Sequence, residues 1–315
     1  MAKATALPSL LWTCGAEVTL ASGAIGDVID GIGTAFTNST YHRVLDSGAG
    51  SYVHVGPKAT SAGSQWRAII GHQALVSNWT MWLDTFEANV PHIIMAPYRG
   101  STLTFDGALD DAAPWGAADV TKYVKIGDDT AAVTYQKVTL YENDEYWMLI
   151  LKTSTPSYFG CVCGPAFQPY ASGYAEADNL LYGILTSSAT AIGPSLCSLA
   201  SQGFAGVHSA SNNLNHCGVM LPGVTSMTAI TKSTAGIATT VVDTSAASEY
   251  IYSTPMEYGL AASPWHKVGF LRNAYWAYSS GLYRRALESS AGVKEYWLFA
   301  ADASSEQEGI AMDAR

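Results

Sequence analysis

The pattern of hydrophobic and polar residues predicts one clear helix near the amino end of the chain. In the segment AIGDVIDGIGTAF, residues 24–36, apolar side chains recur every three or four positions, at Ile25, Val28, Ile29, Ile32 and Phe36. This spacing places them on one face of an α-helix. Each of the three internal glycines costs about 1 kcal/mol relative to alanine, so we expect the helix to be held by packing against the rest of the protein.

After this helix the pattern is typical of successive β-strands. Short runs rich in β-branched and aromatic residues are separated by clusters of Gly, Ser, Ala and Pro at a spacing of roughly 10–14 residues. We predict strands in YHRVLD (41–46), SYVHVG (51–56), QWRAIIGH (65–72), MWLDTFE (81–87), HIIMAPY (92–98) and TKYVKIG (121–127).

The middle of the chain predicts a β-hairpin. Residues 131–141 alternate between two sets of side chains, as in a strand with two covered faces. The polar segment ENDE, residues 142–145, separates this strand from the apolar run YWMLILK, residues 146–152. Two such runs joined by a short polar segment are expected to pair.

These elements predict a mainly-β fold, an antiparallel β-sandwich or jelly-roll with a short N-terminal helix. Near residue 170 the composition changes to Ser, Ala, Thr and Gly, which favours loops and short strands on an exposed face over residues 171–250. We therefore divide the chain into residues 1–165 and 166–315, with a single domain as the alternative. The last residues, ADASSEQEGIAMDAR, are predicted to form a polar tail.

The charge composition excludes several classes of function. Only 13% of the residues are charged, Lys and Arg together number 16, and the net charge is −10, so the basic surface that nucleic acids require is missing. The first residues lack the pattern of a secretory signal, and no apolar run reaches the roughly 18–20 residues of a membrane span. We expect a chain made in a cytoplasm, neither exported nor inserted in a membrane. Its low charge fits burial against partner subunits, or a neutral surface rich in small residues.

No motif for acyl transfer, phosphate binding or dinucleotide binding is found in the sequence. The best candidate metal ligands are Cys161, Cys163, His216 and Cys217. Cys161 and Cys163 would lie on the same face of a strand, whereas the adjacent His216 and Cys217 would point to opposite faces. We therefore favour buried thiols in a β core over a zinc site, and predict no metal or cofactor.

Acidic and histidine residues offer alternatives for catalysis. Carboxylates cluster at Asp110–Asp111, at Asp128–Asp129 and among residues 142–145, and paired carboxylates can hydrolyse glycosidic bonds. Solvated turns are the favoured interpretation of these clusters. His42 and His54 are interpreted as half-buried strand residues and not as catalytic bases. We expect no enzymatic activity.

The chain ends in an aromatic-rich segment that carries a resemblance to a known group of proteins. The segments STYHRVLDSGAGSYVHVGP, KYVKIGDDTAAVTY and EYWMLIL are followed by YGLAASPWHKVGFLRNAYWA, GLYRRALE and GVKEYWLFA. In order of features this resembles poorly characterised β-rich virion structural proteins of tailed bacteriophages. Gly269, Leu271, Tyr275 and the strand 296–299 stand where that group has its closing segment.

Large rings in this closing segment are candidates for the core. Each buries about 150–250 Å², and we expect the strand VGFLRNAYWAY, residues 268–278, to pair with 295–300 as a closing hairpin, with SSGLYRRALESSAG as the connection. The candidate core and assembly residues are Phe270, Tyr275, Trp276, Arg284, Arg285, Tyr296 and Trp297.

The resemblance implies a non-enzymatic virion component, associated with the tail, collar or baseplate, whose partners are copies of itself and other virion proteins. Capsid decoration is the alternative within the same class. A carbohydrate-binding or glycan-hydrolysing surface module is the alternative of another class, with a host-surface glycan as ligand and Asp110 and Asp111 as the acids to test.

Overall fold

The structure is a computed structural model of the 315-residue chain. It describes residues 11–58, 66–72, 93–99, 124–126, 134–154, 158–165, 167–168, 173–174, 180–186, 195–198, 240–241, 250–260, 266–279, 285–288, 295–300 and 307–313. These residues form one α-helix and nineteen β-strands in antiparallel sheets. The prediction of a mainly-β chain with one N-terminal helix is confirmed for this part of the sequence.

The helix α1 (Ile25–Thr37) lies where the apolar spacing predicts it. Its first turn is held by Ser22, whose hydroxyl accepts a hydrogen bond from the Ala24 amide at 3.2 Å and donates to the carboxylate of Asp27. A carboxylate in the first turn also interacts favourably with the positive end of the helix dipole.

A six-stranded sheet contains the predicted hairpin. Its strand order is β1-β7-β8-β9-β12-β13. The bounds are β1 (Thr13–Thr19), β7 (Tyr135–Glu142), β8 (Trp147–Thr153), β9 (Tyr158–Pro165), β12 (Leu180–Thr186) and β13 (Ser195–Ser198). Strands β7 and β8 pair in antiparallel fashion, with Glu142 opposite Trp147, so the predicted hairpin is confirmed.

A five-stranded antiparallel sheet follows the chain order. Its strands are β2 (His42–Gly48), β3 (Tyr52–Pro57), β4 (Trp66–His72), β5 (Ile93–Arg99) and β6 (Val124–Ile126). Each coincides with a strand predicted from the sequence, while the predicted strand 81–87 lies outside the described residues. The β2–β3 turn requires a left-handed residue, and Gly50 occupies it with φ of 65°.

Helix α1 and these two sheets share one hydrophobic core. Val138 and Leu140 come from the six-stranded sheet, Val53 and Val55 from the five-stranded sheet, and all belong to the same buried cluster as the helix side chains. Gly31 allows the close approach, because a β-carbon there would lie 2.5 Å from the side chain of Leu20. Gly31 and Gly33, where a β-carbon would lie 3.1 Å from Val53, therefore permit the close packing of the helix despite their low helix propensity, whereas Gly26 has no close neighbour.

An eight-stranded sheet contains the carboxyl-terminal part of the chain. Its central order is β11-β10-β16-β19-β18-β17, and β15 pairs with both β14 and β16. The bounds are β10 (Phe167–Gln168), β11 (Gly173–Tyr174), β14 (Thr240–Val241), β15 (Tyr250–Leu260), β16 (His266–Ser279), β17 (Arg285–Glu288), β18 (Glu295–Ala300) and β19 (Gln307–Asp313).

The prediction for the closing hairpin is wrong in its pairing. Strand β19 lies between β16 and β18, pairing Trp276 with Ile310 and Trp297 with Met312. The predicted connection contains β17, which forms its own hairpin with β18. The last segment was taken for a polar tail because of its Glu and Gln residues, but two neighbouring strands satisfy the backbone of β19 and its Met312 is fully buried.

Candidate functional site

A fully buried carboxylate lies at the end of strand β7. Side chains alternate along the strand, so Glu142 points to the same face as Val138 and Leu140, which belong to the core. The Glu142 side chain is 0% exposed. Burying an ionised carboxylate costs several kcal/mol unless hydrogen bonds and charges compensate for it, so its surroundings decide what it does.

The segment Ser39–His42, between α1 and β2, surrounds this carboxylate with hydrogen-bond donors. The Thr40 amide donates to Oε1 at 2.8 Å, and the Tyr41 amide donates to Oε2 at 3.4 Å. The Ser39 hydroxyl and the His42 Nδ1–H, the latter at 3.0 Å, also donate to Oε2. We call the carboxylate and this segment the Glu142 latch, because it joins the end of β7 to residues about 100 positions earlier in the sequence.

The end of helix α1 directs the amides of this segment inward. The Asn38 amide still bonds the Thr34 carbonyl at 3.1 Å, and the Ser39 amide bonds the Phe36 carbonyl at 3.3 Å. Beyond these last helical bonds the amides turn towards Glu142. The carbonyls of the segment are bound from the other side by Lys58, whose ammonium donates to Ser39 at 2.6 Å and whose amide donates to Tyr41 at 2.7 Å.

Strand β1 makes room for the carboxylate with a bulge at Gly15. The register against β7 shifts between Cys14 and Ala16, which is the signature of an extra residue in one strand. A β-carbon on Gly15 would lie 2.6 Å from Glu142 Oε1. The Thr13 hydroxyl donates to the Glu142 carbonyl at 3.2 Å, which fixes the strand end beside the bulge.

Aromatic rings close the latch on the core side. The ring of Phe36 meets His42 edge-on, with centroids 6.4 Å apart, and meets Trp147 edge-on at 5.3 Å. His42, Phe36 and Trp147 are all fully buried. An apolar wall of this kind strengthens the hydrogen bonds to the carboxylate, because the local dielectric constant is low.

The electrostatics assign a charge state to each partner. Burial works to raise the pKa of Glu142, but the hydrogen bonds from His42, Ser39 and the Thr40 amide outweigh it and lower that pKa. The pKa of His42 is also lowered, because burial disfavours the imidazolium more strongly than the neighbouring Glu142 carboxylate favours it. At neutral pH the latch therefore pairs a carboxylate with a neutral imidazole protonated on Nδ1.

The latch contains the residue types of a hydrolase triad but not its arrangement. In a triad the histidine lies between the nucleophile and the acid and accepts the proton of the serine. Here the Ser39 hydroxyl donates to Glu142 and accepts from the His42 amide at 2.7 Å. Ser39 is also 4% exposed, so the geometry immobilises a loop and does not activate a nucleophile.

The same β7–β8 turn carries a second acid with different partners. Glu145 Oε1 lies 3.0 Å from Nη1 of Arg272, and the guanidinium lies 4.7 Å from the ring centroid of Phe167. Trp12 donates from Nε1 to the Arg272 carbonyl at 3.2 Å, and its amide donates to the Asp313 carbonyl at 2.8 Å. This Arg272 junction, made of Trp12, Glu145, Phe167, Arg272 and Asp313, joins the six-stranded and eight-stranded sheets.

His42 and His54 are more deeply buried than the sequence predicts, so their interpretation as half-buried residues is wrong. His42 is 0% exposed and His54 is 1% exposed. Burial, reinforced by the positive charge of Arg67 and opposed by Asp46, lowers the pKa of His54 to about 4. His54 is enclosed because both faces of β3 are covered, and His42 is enclosed by Phe36 and Glu142 at the start of β2; the short strand patterns did not reveal either contact.

The buried-thiol interpretation is confirmed for two cysteines. Cys161 and Cys163 lie in the shared core and are fully buried, and burial raises the pKa of both thiols well above the ordinary value. His216 and Cys217 lie outside the described residues. Within the described part of the chain no group of three or more metal-ligating side chains is found.

The structure places the backbone of most candidate assembly residues. Phe270, Tyr275 and Trp276 lie on β16, Arg285 on β17, and Tyr296 and Trp297 on β18. Arg284 lies outside the described residues, as do Asp110, Asp111, Asp128 and Asp129. The prediction that the rings fill the core concerns side chains beyond the described set, and it stays a prediction.

The burial of Glu142 was not predicted, because the acids of ENDE have the pattern of a solvated turn. Asp144 is exposed, as expected, but Glu142 belongs to the strand and continues the core-facing series 138, 140 and 142. The spacing of two residues between these positions was the one feature of the sequence that indicated a core-facing Glu142. Nothing local in the sequence connects Glu142 with Ser39–His42.

Two comparisons with known proteins find no relative of this sequence. No protein-family model matches the sequence, and a search of curated proteins finds no significant match. Among the described residues, no helix has the length and apolar character required to cross a bilayer.

Proposed function

We propose that the chain is a non-enzymatic structural component of a tailed-bacteriophage virion, associated with the tail, collar or baseplate and working as an oligomer. The observation that carries the non-enzymatic part is the closed geometry of the Glu142 latch. Its serine, histidine and carboxylate are buried and bonded to one another in an order that fixes a loop. The virion assignment is supported by the resemblance of the ordered sequence features.

The low charge and the antiparallel sheets also support a role in assembly. We propose that the sheets stack as a sandwich, because side chains on both faces of the six-stranded sheet are buried. Leu140 faces the shared core, and the next residue, Tyr141, is fully buried on the opposite face, as is its cross-strand neighbour Met148. Side chains that are buried on both faces of a sheet indicate that the sheet packs against other elements on both sides.

Gold-labelled antibodies against the purified chain, applied to intact phage particles and viewed by electron microscopy, test this function. Label on the tail, collar or baseplate is the expected result, together with an oligomeric mass in sedimentation. Label on the capsid would assign the chain to the decoration alternative. A monomer that binds glycans, with binding or hydrolysis lost in Asp111→Asn, would overturn the proposal in favour of a glycan-directed module.

A further inference from the structure

The hydrogen bonds of the Glu142 latch are arranged for an anion. Both carboxylate oxygens face donors, namely the amides of Thr40 and Tyr41, the Ser39 hydroxyl and Nδ1–H of His42. A protonated carboxyl group needs an acceptor for its own hydrogen. Ser39 Oγ already accepts from the His42 amide at 2.7 Å, and Nδ1 of His42 accepts only if the imidazole changes tautomer. Protonation therefore breaks or reorganises the hydrogen bonds that now converge on the carboxylate, in a site that is closed to water.

We propose that the Glu142 latch is an acid-sensitive lock, which holds the segment Ser39–His42 on the six-stranded sheet at neutral pH and releases it when protons are taken up. Release separates the end of α1 and the start of β2 from the end of β7. It also frees the Lys58 contacts to Ser39 and Tyr41. The proposal concerns the isolated chain and does not depend on the particle to which the chain belongs.

Two other charged side chains lie near the latch, and they act on the protonation of His42 in opposite directions. Asp144, in the β7–β8 turn, favours protonation of His42, and Lys58, after β3, opposes it. The last turn of α1 has no basic residue, and β1 places Gly15 against the carboxylate and the Thr13 hydroxyl on the Glu142 carbonyl. The latch thus carries its two titrating groups, Glu142 and His42, in direct contact.

The expected pH dependence has two steps. In the released segment the pKa of His42 returns to its ordinary value of 6.5 and that of Glu142 to 4.5, and both pKa values are lower in the closed latch. Linkage then requires the closed-to-open equilibrium to rise as the pH falls below 6.5 and to rise more steeply below 4.5, by at most about tenfold per pH unit for each proton taken up.

Hydrogen exchange read by mass spectrometry on peptides covering residues 38–42 measures this opening. Exchange is corrected at each pH for the intrinsic rate of the unstructured peptide. Peptides from β7 and β8 in the same digest report global unfolding and should stay protected where the latch already opens.

Three variants test which residue causes each step of the pH-dependent opening. Glu142→Gln should open at neutral pH and lose the step below pH 4.5. His42→Asn keeps an N–H donor near the position of Nδ1 but cannot titrate, so it should lose the step between pH 6.5 and 4.5 and keep the lower one. Glu17→Gln removes an exposed carboxylate of the same sheet, which pairs with Lys137, and should behave as the unchanged chain.

Two results would overturn the proposal. One is a segment 38–42 that exchanges in step with β7 and β8 at every pH, because the latch would then have no separate opening. The other is a Glu142→Gln variant that is folded and retains both the protection of the segment and the step below pH 4.5.

Discussion

Glu142, the last residue of β7, and Glu145, in the β7–β8 turn, are held in contrasting ways. Glu142 is fully buried and accepts from four donors in the latch, two of which are backbone amides. Glu145 belongs to the Arg272 junction, where its side chain and that of Arg272 are each 11% exposed. The first is surrounded by a loop, whereas the second pairs with a long side chain from β16, an interior strand of the eight-stranded sheet.

This difference shows how the partners that a carboxylate needs depend on its burial. A carboxylate removed from water needs several fixed donors, because a single ion pair does not repay its desolvation. In the junction the two opposite charges of Glu145 and Arg272 are in direct contact and each side chain keeps 11% of its surface exposed, so fewer fixed donors are needed and the net stabilisation is smaller. We therefore expect changes in the latch to cost much more than changes in the junction.

The largest effect is expected for Glu142→Ala, which leaves the donors of Ser39, Thr40 and Tyr41 without their acceptor inside the protein. We expect a loss of about 3–5 kcal/mol in the free energy of unfolding, measured by urea denaturation. Glu17→Ala, which removes an exposed acid from the same sheet, should change it by less than about 0.5 kcal/mol. Equal losses in the two variants would contradict the contrast.

Acidification should destabilise the protein through His54 as well as through the latch. Its pKa is lowered to about 4 in the folded chain and is 6.5 otherwise. The unfolded chain therefore binds the proton more readily, so the stabilisation is complete above pH 6.5 and is lost as the pH falls towards 4. The full effect is about 3 kcal/mol.

Unfolding experiments at a series of pH values on His54→Gln isolate this contribution. The variant should lose about one proton from the pH dependence between 6.5 and 4, while the exchange of residues 38–42 keeps both of its steps. An unchanged slope would show that His54 does not titrate in this range.

A smaller effect is expected for Gly15→Ala. The added β-carbon would lie 2.6 Å from Glu142 Oε1, so the latch must shift, and we expect a loss of about 2 kcal/mol. The matched change Gly26→Ala, in the helix, meets no atom closer than 3.7 Å. It should stabilise the protein by up to about 1 kcal/mol. Thermal unfolding distinguishes the two, and a shift of the same sign in both would contradict the close approach at the bulge.

The smallest effect is expected at the junction. Arg272→Met removes the charge beside Glu145 and above Phe167, and should cost about 1 kcal/mol. In a double-mutant cycle with Glu145→Gln the coupling should be about 0.5 kcal/mol and fall in high salt. A coupling as large as the loss in Glu142→Ala would remove the distinction between the two acids.

Much of the fold was predictable because its signals are local. The apolar spacing of residues 24–36 fixed the helix, and alternation with short polar breaks located β2 to β5 and the β7–β8 hairpin. Cys161 and Cys163, two positions apart on a strand, were correctly placed in the core. The polar appearance of QEGIAMD, by contrast, concealed β19, whose position depends on two strands that pair with it from either side.

The sequence by itself determined the helix and strands β2 to β8, because these depend on side-chain periodicity and on turn residues within a few positions. Only the tertiary structure decided that Glu142 is buried and that Ser39–His42 encloses it. The reason is that the donors, the bulge at Gly15 and the carboxylate come from three distant segments. Each segment looks ordinary alone, and their packing together produces a site where a charge is stable.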